Sequence, residues 1–354
     1  MCFGGIEKAL LNLLKNIDYK KYSVTLLLEE KEGPLLKEIP SNVIIKEYRI
    51  NNNKNVLFRK IVNRLKLIFF ILLNLKKYDF SACFYTSSTP MSIISRYLSK
   101  NNYIWVHSNY KYVYNQNETQ FRNFFKQIKI NKFNRIIFVS NESKNDFIYY
   151  YPSLAKKCSV CNNLVDYKEI IELSKEPMPG GKENIKVLLH VGRHTEEDKR
   201  ISRLINIAKK LVDNNYHFKM WLIGDGLNHQ NYLEQIEELN LNDYIDMLGS
   251  KTNPYPYYRH ADVFVLTSEF EGFPVVYLES LVMNLPIITT IPVSSDDLNI
   301  EEYATIVSKQ EDDIYKAVAN FLDDGTVAKK EFDPVKYNND ISAKLEKMFN
   351  GQEL

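Results

Sequence analysis

The sequence predicts two consecutive α/β domains, each a parallel sheet covered by helices. Three observations predict this. Short apolar, β-rich runs alternate with longer segments of helical spacing twice over, on either side of a linker-like stretch with Pro177, Pro179, Gly180 and Gly181. The 354 residues are enough for two cores, and 45% hydrophobic with 25% charged is ordinary for a globular chain. The halves also differ in charge: residues 1–166 hold 26 Lys and Arg against 12 Asp and Glu, and residues 167–354 hold 20 against 32. The expected organisation is a first domain over 1–166, a linker over 167–185, a second domain over 186–332, and a final helix and tail over 333–354.

Taken in order, Gly4-Gly5 precedes a segment with Ile6, Leu10, Leu13 and Leu14 at helical spacing. Strand-like runs follow at 23–28 and 43–48, then a long helix over 56–77, then strands at 82–85, 103–107 and 135–139. A glycine loop opening a helix normally follows a strand of about five or six residues in a doubly wound domain. Only Met1-Cys2-Phe3 precede Gly4. The first strand is therefore expected to be missing, leaving a groove beside 82–85 and a chain that is poorly soluble or inactive.

Between Lys54 and Lys77 there are seven basic residues and no acidic one. With Leu67, Ile68, Phe70, Ile71 and Leu72 among them, this helix reads either as a membrane-surface element or as a core-facing helix with a solvated face. The longest apolar run, 67–73, is far short of the roughly twenty residues a membrane span needs. No signal peptide is recognisable before the first helix, so a cytoplasmic protein is expected, with peripheral attachment to the inner membrane face left open. The basic first half could attract nucleic acid, anionic lipid or a phosphorylated acceptor; nucleic-acid motifs are absent, which favours the last two.

His107 ends a strand, where open α/β sheets bind their ligands. Cys158 and Cys161 lie in a strand-like run with no second pair at zinc spacing, so unpaired thiols in a reducing compartment are expected. In the second half, strands at 186–191 and 218–223 come first. Gly192-Arg193 and Lys199-Arg200 follow the first of them and lead into a helix over 201–213. Gly224-Asp225-Gly226 resembles a dinucleotide loop, but position 229 is His rather than the third glycine, which excludes a dehydrogenase.

Val263-Phe264-Val265-Leu266 reads as a buried strand leading into Thr267–Ser280. Pro274 suits the first position of a helix continuing to Leu281, and the amides of that turn beside Gly272 make an anion site. Glu271 and Glu279 would lie roughly ten ångströms apart along the chain path. That rules out a shared-proton pair and suits two carboxylates gripping separate parts of one elongated anion.

The spacing Glu271-(seven residues)-Glu279 within E-G-F-P, after A-D-V-F-V-L-T-S and before the strand-like 286–290, resembles the EX7E signature of family 4 retaining glycosyltransferases of bacterial polysaccharide type. The resemblance implies the GT-B fold: two Rossmann-like domains facing across a cleft, with a C-terminal helix crossing back to the first. It implies a nucleotide-sugar donor, with Gly192, Arg193, Lys199, Gly272, Phe273, Pro274, Val275 and Glu279 binding it. Glu271, His107, Arg193 and Lys199 would be catalytic, and Gly4 and Gly5 would form a loop at the cleft. Arg200 stands where the family usually has glycine and competes with Lys199 for the diphosphate. No D-x-D pair is present, so no metal or other cofactor is expected. The acceptor would be a glycan or lipid-linked sugar, with an anionic membrane surface as a further partner and no nucleic acid. Two other readings stay open: a nucleotide-sugar epimerase of the same fold, and a catalytically silent sugar-nucleotide-binding partner.

Overall fold

The computed structural model describes residues 4–178, 185–328 and 330–352; the Pro179-Gly180-Gly181 part of the expected linker and Met1–Phe3 lie outside them. The chain forms two compact units. One comprises residues 1–165, 295–297 and 336–354, the other 166–294 and 298–335.

In the first unit, β1 (Thr25–Leu28) pairs in parallel with β2 (Ile44–Glu47), and a separate parallel sheet runs β3 (Phe80–Cys83), β4 (Asn101–Val106), β5 (Arg135–Phe138), β6 (Cys158–Val160). Among the described residues β1 and β2 pair only with each other and β3 only with β4. The break in the sheet beside β3 is where the sequence reading expects one. β3 itself begins two residues earlier than the run at 82–85, because Phe80 and Ser81 already ladder with Asn101 and Asn102. Ile104, Phe133, Ile136 and Phe138, all nearly inaccessible, centre the core of this unit.

The first helix, Gly5–Asn16, buries Ala9, Leu11, Asn12 and Leu14, and of the expected stripe Ile6, Leu10, Leu13, Leu14 only Leu14 is fully buried. Asn12 explains the rotation: its carboxamide donates to the Leu164 carbonyl at 3.0 Å, and a buried amide satisfied in this way must face inward. Gly4 is the N-cap with extended backbone, which any residue adopts. The basic helix runs Val56–Asn74 and has no fully buried residue. Asn55 caps it, accepting from the amides of Leu57 and Phe58. The last helix, Pro334–Phe349, packs within the first unit, where the Tyr337 hydroxyl donates to the Asn163 carbonyl at 2.8 Å and Asn338 exchanges two hydrogen bonds with the Val165 backbone. The C-terminal helix thus returns to the first domain.

The second unit holds one six-stranded parallel sheet of β7 (Lys186–Val191), β8 (Phe218–Ile223), β9 (Ile245–Gly249), β10 (Val263–Leu266), β11 (Ile287–Thr289) and β12 (Ala304–Ile306). Its spatial order is β12-β11-β10-β7-β8-β9. The chain starts in the middle, builds outward to one edge, then returns to build the other. β7 and β10 are therefore the neighbours at which strand order reverses, and the loops leaving their C-terminal ends open onto the crevice where such sheets take ligands. The helix Ile201–Asp213 buries Ile201, Leu204, Ile205, Ile207, Ala208 and Leu211 in the core of this unit, which fixes the position of the loop just before it.

Candidate donor site of the second unit

The loop after β7 is fastened to the turn after β8. The Gly192 amide donates to the Ile223 carbonyl, the His194 amide to the Asp225 carbonyl, and the Asn228 amide to the His194 carbonyl, each at 3.0 Å. Gly224 is required there: its φ is +144°, and a Cβ would stand 1.8 Å from the Gly192 carbonyl oxygen. A Cβ on Gly226 would stand 2.5 Å from the His194 carbonyl oxygen. The G-D-G turn is thus a clamp for the Gly192-Arg193 segment. His194 is fully buried, and its Nδ1 lies 2.8 Å from Nδ1 of His229. Burial and the facing His229 ring push its pKa down to about 4.

The same loop meets the one after β10. The Glu269 amide donates to the Asp198 carbonyl at 2.7 Å, and Lys199 forms an ion pair with Glu271, both side chains largely buried. Two residues the sequence assigns to the donor, one to its diphosphate and one to its sugar, are here each other's partners. The Ser268 hydroxyl donates to the same carboxylate oxygen, Oε1, at 2.8 Å. Arg193 is exposed, with no side-chain partner recorded among the described residues.

Lys199 and Arg200 are placed differently by the backbone. Arg200 is the N-cap of the Ile201–Asp213 helix and has φ +52°, the left-handed region that favours glycine. That conformation turns its side chain toward Glu196 at 3.4 Å and Glu269 at 3.7 Å. Lys199 is the cation beside Glu271.

Pro274 caps the next helix, Val275–Val282, with ψ 119°, so it sits one position before the first helical residue rather than at it as the sequence predicts. Its ring still costs the helix no hydrogen bond, since the first amides of a helix have no partner within it. Gly272, Phe273 and Pro274 are buried, Phe273 to 5% exposure. Glu279 is 7% exposed, and its two carboxylate oxygens accept from the hydroxyls of Tyr255 at 3.1 Å and Tyr258 at 3.0 Å. Burial, followed by the adjacent Glu279 charge, raises both phenols well above the usual tyrosine range, so they remain protonated donors.

Sequence reading missed these tyrosines. The signal was Tyr255-Pro256-Tyr257-Tyr258 ahead of β10, with two hydroxyls three residues apart on one helix face. It also missed Glu269, which is held by Arg203 at 2.7 Å and Lys309 at 2.9 Å. Burial works to raise the pKa of that carboxyl, but the two cations outweigh it and hold it below the usual range.

His107 lies in the first unit, one residue beyond β4, and is described there by itself. It is 8% exposed, its ring stands 4.3 Å from that of Phe84, and Nε2 has no hydrogen-bond partner among the described residues. Burial drives its pKa down to about 3, so the imidazole is neutral at physiological pH. Cys83, Cys158 and Cys161 are free thiols.

A central-start parallel sheet with two clamped loops at its switch point, joined to a second α/β unit, defines a GT-B protein. Anabaena HepE, whose crystal structure is in complex with UDP, superposes with a TM-score of 0.74 over 97% of this chain and 96% of that one at 17% identity, a likeness of fold. The model for "Glycosyltransferase Family 4" matches residues 3–169 and that for "Glycosyl transferases group 1" matches residues 175–339. The chain belongs to glycosyltransferase family 4.

Among curated relatives, an uncharacterized glycosyltransferase of Methanocaldococcus jannaschii is 31% identical over 44% of this chain and 39% of its own. The N-acetylgalactosamine-N,N'-diacetylbacillosaminyl-diphospho-undecaprenol 4-alpha-N-acetylgalactosaminyltransferase of Campylobacter jejuni is 27% identical over 57% of each chain. The chain thus spans about half the length of the curated relatives it matches.

Proposed function

We propose that this protein moves a sugar from a nucleotide-sugar donor to a glycan or lipid-linked acceptor in surface polysaccharide synthesis, with retention at the anomeric carbon. The observation that carries this reading is the convergence at the β7/β10 switch point of Gly192-Arg193, the Lys199–Glu271 pair and the start of the Val275–Val282 helix. Donor departure leaves negative charge on a diphosphate. Arg193, Lys199 and the unpaired amides of the helix start are the groups that would stabilise it, without a metal.

In this reading a diphosphate competes with Glu271 for the Lys199 ammonium. Both recorded contacts of Glu271 fall on Oε1, which leaves Oε2 to accept from a sugar hydroxyl. Glu279, held by the Tyr255 and Tyr258 hydroxyls, would accept from ribose hydroxyls. Neutral His107 would contact the donor sugar, and Gly4-Gly5 would form part of the acceptor side. The lipid-linked acceptor is supported by the diphospho-undecaprenol named for the Campylobacter relative. We place the protein in the cytoplasm at the inner membrane face; among the described residues no helix is long and apolar enough to cross a membrane.

Incubation with a panel of nucleotide sugars, followed by mass spectrometry, tests the assignment. Release of nucleoside diphosphate from one donor, accelerated by a polyprenyl-diphosphate sugar or glycan, is the expected result. Isomerised donor without release, or no turnover with any donor and acceptor, would overturn it.

A further inference from the structure

Lys199 stands between two residues whose carbonyls are both tied to the loop after β10. The Asp198 carbonyl accepts from the Glu269 amide at 2.7 Å, and the Arg200 carbonyl accepts from the Thr267 hydroxyl at 3.2 Å. Glu271, the ion-pair partner of Lys199, follows two residues after Glu269. The place of the Lys199 ammonium therefore depends on how these two loops are held against each other.

The Glu269 side chain is where that hold is set. Arg203, in the first turn of the Ile201–Asp213 helix, donates from Nη2 to Oε2 of Glu269 at 2.7 Å and from Nη1 to the Thr267 carbonyl at 3.0 Å. One planar guanidinium thus grips the loop by a carboxylate and by the backbone two residues earlier, a fork that a lysine does not reproduce. Its own base is fixed, since Ile201, Leu204 and Ile205 beside it are buried in the core. Lys309, between β12 and the helix Glu311–Asp324, lies 2.9 Å from Oε1 and also donates to the Glu269 carbonyl. Arg200 adds a third cation: its Nε is buried, has no hydrogen-bond partner among the described residues, and stands 3.7 Å from Oε2.

Partly exposed ion pairs add little to stability, so so many contacts on one carboxylate are not explained by stability alone. The side chain is 30% exposed, yet both of its oxygens and both of its backbone polar groups are engaged. Two roles give opposite results when the charge is removed. If Glu269 only neutralised its cations, its loss would leave them free beside an anion site and tighten diphosphate binding. If it holds the loops, its loss displaces Lys199, and a displacement of about 1 Å at a reacting centre costs about a hundredfold in rate.

We propose that Glu269 is a positioning residue of this site: through Arg203, Arg200 and Lys309 it seats the Asp198–Arg200 segment on the β10 loop and thereby sets Lys199 against the leaving diphosphate. The proposal deepens the glycosyltransferase reading and rests on it for the identity of the diphosphate.

The test is a double-mutant cycle on the full chain, read by donor turnover and by calorimetric titration with inorganic pyrophosphate, which carries the charge of the leaving group. Glu269→Gln should lower kcat about thirtyfold while the donor KM changes less than about threefold, and should weaken pyrophosphate binding about tenfold. In a Lys199→Ala background the same substitution should lower neither by more than about a further twofold, because Glu269 acts through Lys199. Arg203→Lys, which keeps the charge and loses the fork, should reproduce the loss in kcat with the melting temperature kept. Tighter pyrophosphate binding in Glu269→Gln, an unchanged kcat, or equal losses with and without Lys199 would overturn the proposal. No turnover by the wild type, with the pyrophosphate cycle still non-additive, would overturn the glycosyltransferase reading and support the positioning role.

Discussion

At the scale of the residue, the site is held by an internal ion pair, and this shapes what substitutions should do. In the proposed function Arg193 and Lys199 stabilise the leaving diphosphate, so Arg193→Ala and Lys199→Ala should each lower kcat/KM by about two to four orders of magnitude in a donor-turnover assay. Wild-type rates in both variants would remove these cations from the chemistry. In the proposed function Glu279 acts on a different part of the donor. Glu279→Ala should raise the donor KM with little effect on kcat, and Tyr258→Phe should raise it by about tenfold, since a buried carboxylate that loses a donor is less firmly placed. An unchanged donor KM in Glu279→Ala would end the ribose assignment.

At the scale of the element, the second unit is a set of strands whose loops are cross-tied. Gly224→Ala forces a Cβ into the Gly192 carbonyl at a positive φ, and should lower the melting temperature by about 10 °C. Gly249 also has a positive φ, +66°, but open space around it, so Gly249→Ala should cost only about 3 °C. Equal melting shifts, read by differential scanning calorimetry, would show that strain rather than collision governs both.

The elements also show which signals a single sequence carries. β10, the E-G-F-P turn and the helix after it were legible because an apolar run, a turn and a proline lie next to one another in the chain. β9, with Asp246 as its second residue, and the three-residue β12 gave no clean periodicity. The Arg203–Glu269 and Tyr258–Glu279 contacts were illegible because their partners lie 66 and 21 residues apart, the first pair joined across the β7/β10 reversal and the second between the two helices that flank β10. The Gly5–Asn16 helix was rotated away from its apolar stripe by one buried amide, a choice that local periodicity does not encode.

At the scale of the whole molecule, buried histidines in both units give stability a common dependence on pH. Burial holds His107 and His190 at about 3 and His194 at about 4, against about 6.5 in the unfolded chain. Folding depresses these values, so their stabilising contribution is complete above about pH 6.5. As the pH falls below that, the unfolded chain takes up protons that the folded one refuses until pH 3–4. Melting temperature should therefore drop steadily from pH 6.5 to pH 5, a window largely above the carboxylate titrations. A flat profile there would mean that the three rings are not held neutral.

The return of the Pro334–Phe349 helix to the first unit has a consequence for the order in which the molecule is made. Tyr337, Ile341, Leu345 and Met348 are buried there, Lys344 pairs with Asp297 at 2.7 Å, and Asn101 donates to the Met348 carbonyl. The half encoded first therefore lacks part of its own interior until residues 336–349 have left the ribosome, whereas the half encoded second is already available by residue 335. Synthesis and completion should run in opposite directions along this chain. A nascent chain arrested with residues 1–335 exposed should yield a protease-resistant fragment from 166–335 while 1–165 is digested, and resistance of both halves at that length would show that the first closes without its last helix.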